Sequence, residues 1–357
     1  MKRYKLFVQM ICAGALALAA SGCSRMKETP VRSYTVDFSS VEKIPLTEIA
    51  SDIRTVRLET DDDILISYIR QVIDVGERLL VRHGERCSLF DKTGKYLRDI
   101  GGKGQGPREW VNISGLFVRD DAVFVFDESS HKILVFDFDG LFVREIRMPE
   151  KDDYYELMPL HGDDACMLFT PNRSGREKTK FTFLDETGEK ATVSYDREYK
   201  AKFVQAFYIY EGAVFHYGDR NYFKEMFSDT IFAVHEDYTV SPRLALDFGK
   251  YGASLEKRHG LETPQENVFE NMVRTSITGE SASYLFFNAT LHRETSYFYL
   301  DKQRHTLHNV SFYLTEEPAS EKPFTPGYIS EDNRRLIGVM EAEDDENPSL
   351  IVATLKQ

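Results

Sequence analysis

Residues 86–100 read RCSLFDKTGKYLRDI, and residues 132–146 read KILVFDFDGLFVREI. Phe90, Asp91, Gly94, Arg98 and Ile100 recur as Phe136, Asp137, Gly140, Arg144 and Ile146, all at an offset of 46. In both copies an alternating apolar strand runs into Asp-x-x-Gly and a second strand follows. An aspartate there accepts hydrogen bonds from the turn amides, and the glycine supplies a left-handed backbone position. FTFLDETGE repeats the pattern with Asp185 and Gly188. Weaker copies surround Asp237 (IFAVHEDYTVSPRLALDFG) and Asp301 (SYFYLDKQRHTLHNV), and LIVATLK at 350–356 is a terminal strand. Ahead of these hairpins lie further strand pairs, such as GLFVRDDAVFVFDESS at 115–130, which turns at Asp120-Asp121.

Four strands per repeat, with a period in the forties, predict an all-β fold: a six-bladed β-propeller with four-stranded antiparallel blades. The last repeat stops after its third strand. IRTVRLET (53–60) precedes the first full blade and lacks a partner, so this N-terminal strand is expected to close the last blade and remove an open edge. Residues 250–278 break the strand pattern. Thr263-Pro264-Gln265-Glu266 fits a capping box, and Val268, Phe269, Met272 and Val273 share a helical face. A short helical insertion between blades four and five is therefore expected at about 250–278.

The start of the chain carries an address. Lys2, Arg3 and Lys5 precede an apolar run from Leu6 to Ala20, and Ser21-Gly22-Cys23 follows. The run falls short of the roughly 20 residues that span a bilayer. This is the layout of a secretory signal, and its terminal cysteine resembles the lipobox of bacterial lipoproteins. Residues 1–22 then form a signal peptide, with Cys23 as the lipidated mature N-terminus. Residues 23–40 form a lipid-anchored tether and 41–357 the propeller. The formal net charge is −13, and the leader holds basic but no acidic residues, so the mature body is more acidic still. That excludes a nucleic-acid footprint and leaves membrane attachment to the acyl chains. Cys87 and Cys166 lie in apolar runs of blades one and three and are expected as buried, unpaired thiols.

IASDIRTVRLETDDDILIS (49–67), FDKTGKYLRDIGGKGQGPREW (90–110), SDTIFAVHEDYTVSPRLALDFGKY (228–251) and ENPSLIVATLK (346–356) carry a family likeness. With them the chain resembles the six-bladed β-propeller lipoproteins of Bacteroidetes, similar in style to NHL-repeat propellers. Trp110 stands where those proteins more often show Tyr or Phe. The resemblance implies a fold and an envelope location but no agreed activity. Ser24-Arg25-Met26-Lys27 lacks the acidic cluster associated with surface export in such bacteria, which points to the periplasmic face of the outer membrane.

No motif specifies chemistry. The glycine-rich run Gly101–Pro107 has neither Walker nor dinucleotide spacing, and no helix pattern follows it, so it reads as a blade connection. Asp61-Asp62-Asp63 and the run Glu341–Glu346 read as solvated turns, because calcium needs converging oxygens. His83, His131, His161, His216 and His235 are spread over different blades with no triad order. Neither a metal nor a cofactor is expected. Asp229-Thr230-Ile231 resembles the short O-glycosylation sequon of exported Bacteroidetes proteins, leaving Thr230 a weak modification candidate. Propeller geometry places the segments leading into the inner strands at one mouth of a central channel. Arg70, Arg108, Trp110, Asn112, Tyr154, Tyr155, Gln205 and Tyr208 are the expected rim, suited to stacking and hydrogen bonding. The leading expectation is a non-catalytic module binding an envelope glycan or protein partner. The competing expectation is a glycan lyase or hydrolase at the channel.

Replacing Cys23→Ala should release the protein from the membrane fraction. Fractionation that finds the variant unprocessed and still membrane-bound overturns the lipobox.

Overall fold

The structure is a computed structural model. It describes residues 31–61, 64–148, 156–161, 165–185, 187–196, 198, 200, 211–259, 271–314, 323–342 and 346–357. Three short strands come first: β1 (Arg32–Thr35), β2 (Glu42–Pro45) and β3 (Ala50–Arg57). Blade one is β4 (Gln71–Val75), β5 (Arg78–His83), β6 (Arg86–Asp91) and β7 (Tyr96–Asp99). Blade two is β8 (Gly115–Arg119), β9 (Ala122–Asp127), β10 (Lys132–Asp137) and β11 (Phe142–Arg147). Blade three is β12 (Glu156–Pro159), β13 (Cys166–Phe169), β14 (Thr179–Asp185) and β15 (Gly188–Ser194). Blade four is β16 (Gly212–Tyr217), β17 (Arg220–Glu225), β18 (Thr230–Val234) and β19 (Val240–Asp247). Blade five is β20 (Arg274–Glu280), β21 (Tyr284–Leu291), β22 (Glu294–Asp301) and β23 (Thr306–Tyr313). Blade six is β24 (Tyr328–Ile329), β25 (Arg335–Met340), β26 (Ser349–Leu355) and, as its outer strand, β3. The six-bladed propeller expected from the repeats is the observed fold.

One local device builds the outer hairpins. Asp91 Oδ1 accepts from the amides of Thr93 and Lys95, and Asp137 Oδ1 from those of Asp139 and Leu141. Asp185, Asp237 and Asp301 do the same for Thr187, Thr239 and Gln303. The left-handed position falls on Gly94 and Gly140 in the first two blades, but on Tyr238 and His305 in blades four and five. The aspartate does the local work, so the degraded copies still turn.

Between each pair of neighbouring blades lies one apolar cluster. Leu80, Leu89, Val125 and Phe136 belong to the cluster between blades one and two, and Leu168 and Phe126 to the one between two and three. The seam between blades six and one is filled by Val56, Leu58, Ile337, Leu350 and Val352 against Val72, Leu79, Val81 and Phe90. β3 pairs antiparallel with β26, Val56 opposite Leu350. Past β3, the Glu59 amide donates to the carbonyl of Gly94 in blade one (2.8 Å). A Cβ on Gly94 would lie 1.9 Å from the Arg57 carbonyl oxygen, so glycine is required at this contact. Buried Asn347 completes the seam: it accepts from Ile66 N and donates to Glu59 O and Ile64 O.

The tether boundary needs correction. Residues 32–35 are not linker; β1 runs parallel to β19 as a fifth strand on blade four. β2 likewise runs parallel to β23 on blade five. The chain therefore lies along the outer edges of blades four and five before closing blade six. A helix does fall in the expected insertion. Its described helix is α1 (Leu255–Arg258), and strand structure resumes at Arg274. The expected capping box at 263–266 lies outside the described residues, while Met272 and Val273 are buried. Arg258 anchors the insertion: it stacks on Phe227 and pairs with fully buried Glu211 at the start of blade four (2.5 Å). Cys87 and Cys166 are buried and form no disulfide, and burial pushes the Cys87 thiol up to about 12.

Deleting residues 31–58 should abolish the cooperative thermal transition followed by circular dichroism. Val56 and Leu58 alone each contribute about 1.5–3 kcal/mol of burial, and the deletion opens the ring as well. A truncated protein that melts at the parent temperature would refute this closure.

Candidate functional site

The inner strands β4, β8, β12, β16, β20 and β24 all run the same way around the axis. Segments that precede them lie at one end of the channel, and the turns that follow them lie at the other. The channel between them has a volume of about 830 Å³. Its lining mixes apolar groups, Val75, Val118, Leu157, Val214, Phe215 and Ile329 among them, with polar ones such as Gln71 at the start of β4 and Thr278 within β20. Further polar groups stand at or beyond the ends of the inner strands: Arg119, Asp120, Asp121, His161, His216 and Glu331.

Three of these groups converge. The His161 and His216 rings stack with centroids 4.0 Å apart and planes 6° from parallel. His216 Nε2 lies 3.0 Å from the Glu331 carbonyl oxygen and 3.7 Å from its carboxylate. Two asparagines fix the backbones. Asn221 accepts from His161 N (2.7 Å) and donates to His161 O (2.9 Å). Asn333 donates to His216 O and accepts from Gly218 N. The 330–334 turn of blade six thus reaches blade four, past blade five. Burial lowers both imidazoles from the usual 6.5, and for His161 the neighbouring His216 lowers it further. Burial raises the Glu331 carboxyl.

The rim expected from the sequence does not form this site. Trp110 is fully buried; it packs edge-on to Phe136 and donates from its indole nitrogen to Glu85 O. Gly101, at φ +60, makes room for that indole, since a Cβ there would lie 2.5 Å from its ring. The glycine-rich run is thus a packing loop folded around Trp110, as its Gly104 N to Trp110 O bond shows. Arg108 sits over Phe142 of the outermost strand of blade two, away from the channel. Arg70 is exposed and bonds to the Tyr68 hydroxyl, and Asn112 bonds to Ser114 and Ser129. None of these four lines the channel. Tyr154, Tyr155, Gln205 and Tyr208 lie outside the described residues, as does Cys23. Thr230 opens β18 and is half-buried. His161 and His216 were visible in the sequence, but each follows or ends an inner strand, and the register of those strands is not repeated.

Because both imidazoles are lowered, the folded state favours their neutral form. That contribution to stability is present above pH 6.5 and is lost as pH falls through the folded values. NMR titration of His161 and His216 should give midpoints below 6.5 for both, and ordinary midpoints would rule out the buried stack.

No curated protein sequence matches the chain. Among solved structures, an exported protein of Bacteroides fragilis is similar at a TM-score of 0.68 and 15% identity, over 92% of this chain and 100% of that one. A DUF4221 family member from Bacteroides vulgatus is similar at a TM-score of 0.53 and 12% identity, over 86% of this chain and 97% of that one. Both share the fold. No helix among the described residues is long and apolar enough to cross a membrane. The sequence pattern of one family spans residues 33–349, and the chain belongs to that family, described as a domain of unknown function (DUF4934).

Proposed function

We propose that the protein is a non-catalytic lipoprotein of the bacterial envelope that holds a segment of a partner protein in its central channel. The leader ending at Cys23 supports lipid anchorage, on the periplasmic side of the outer membrane. An exported Bacteroides protein of the same fold is in keeping with that location.

One observation carries the binding reading: all six blades line the channel, which mixes aliphatic groups with polar ones and has a cluster of charged groups where the inner strands end. Its volume falls within the range of ligand pockets. Sugars present hydroxyls all round and call for polar or flat aromatic partners along their length. The aliphatic groups here, Val118 and Val214 among them, suit side chains such as leucine or valine, while the polar and charged groups can meet a peptide backbone or chain end. A partner peptide therefore fits better than a glycan. The second reading, a glycan lyase or hydrolase, draws support from the convergence of His161, His216 and Glu331.

A photo-crosslinking amino acid at Val118, inside the channel, should trap a discrete envelope protein in growing cells. The same group at Leu141, exposed on the outer edge of blade two, should not. Equal trapping at both positions, or none at Val118, removes the partner reading. Depolymerisation of an envelope glycan that is lost in His216→Ala would establish the enzyme instead.

A further inference from the structure

We propose that His161, His216 and Glu331 form a three-ligand site for a zinc-class divalent transition ion at the polar end of the channel. The inference is independent of the partner proposed above.

The donor set comes from three blades. One ligand atom from each residue lies within 4.8 Å of the other two. Around a tetrahedral ion with bonds of about 2.0–2.2 Å, ligand atoms stand about 3.3 Å apart. Binding would therefore draw the ligand atoms closer than they stand, with the stacked rings turning and His216 Nε2 exchanging its contact with the Glu331 carbonyl for the ion. Two imidazoles and one carboxylate match zinc and its neighbours rather than calcium or magnesium, which take six or more oxygens. Three protein ligands leave a fourth position open toward the channel, where water or a ligand atom can bind.

The surroundings support this assignment. Metal-binding histidines are held by outer contacts that fix their orientation. Here Asn221 clasps both backbone groups of His161, and Asn333 holds the His216 carbonyl. Asn333 is itself buried, in a left-handed conformation at φ 59. The apolar clusters between blades do not include these residues, so packing alone gives no reason for a turn of blade six to reach across to blade four. Asp219 and Glu331 add negative charge beside His161.

The test uses the purified, chelator-stripped protein with Zn²⁺ alone in calorimetry and Co²⁺ as a spectroscopic probe. The parent should bind one Zn²⁺ per chain, and Co²⁺ should give the intense visible bands of a four-coordinate ion. His161→Ala and His216→Ala should each weaken binding by more than about 100-fold, beyond the usual loss for an outer-shell contact. Glu331→Gln should weaken it as well and abolish the visible bands. His308→Ala, on β23 beside Glu42, should bind like the parent. Zn²⁺ should raise the melting temperature of the parent and of His308→Ala but not of the three ligand variants. If His216→Ala does not fold, the parent Co²⁺ spectrum and Glu331→Gln still decide the matter. No uptake by the parent, uptake without the four-coordinate bands, or uptake unchanged in the ligand variants overturns the site.

Discussion

Everything in this molecule depends on closing the ring. Each blade is a sheet with two apolar faces, and each face is buried only by the next blade. An open ring would leave two such faces in water, along with an unpaired edge. β3 prevents this by joining the last sheet while its own end touches Gly94 of the first. The same N-terminal segment covers the edges of blades four and five with β1 and β2. The free edges of blades two and three are protected differently. β11 reads FVREIR and β15 reads GEKATVS, with charged and exposed side chains that discourage pairing with another chain.

Closure also explains where the buried charges sit. Asp74 of blade one is fully buried and pairs with Arg335 of blade six and Lys92 of its own blade, across the closing seam. Glu280 of blade five pairs with Arg243 of blade four and Lys302 of its own blade. Glu211 gathers Arg173 of blade three and Arg258 of the insertion. Apolar clusters of similar shape could slide against one another at little cost. A carboxylate buried at a seam tolerates no such slip, because losing its cation would leave an unpaired charge in the interior, at a cost of about 3–5 kcal/mol.

The fold was legible because its signal is local. An alternating strand, an aspartate and a turn lie within fifteen residues, and the copies at Asp91 and Asp137 agree almost position by position. β1 and β2 were not legible. RSYT and EKIP are short, half exposed and defined only by parallel partners more than two hundred residues away. The histidine cluster was not legible for a related reason. Trp110 looked like a binding aromatic, but its indole lies in the core, where Gly101 makes room for it. Convergence of His161 with His216 depends on how two inner strands line up across a seam. ELMP and GAVFHY share no pattern that fixes this.

The two ends of the channel differ because their connections differ. Before the inner strands, among the described residues, 101–114 is a packing loop around Trp110, and the insertion is anchored by Arg258. After them, three blades use two-residue turns: Gly76-Glu77, Asp120-Asp121 and Gly218-Asp219. Blade five uses three residues, Ser281 to Ser283, and blades three and six use more. Their longer turns carry His161 and Glu331 over the mouth, where Asn221 and Asn333 tie them to blade four. The polar cluster is thus positioned by the chain's own side-chain hydrogen bonds, the kind of support that orients groups in a site.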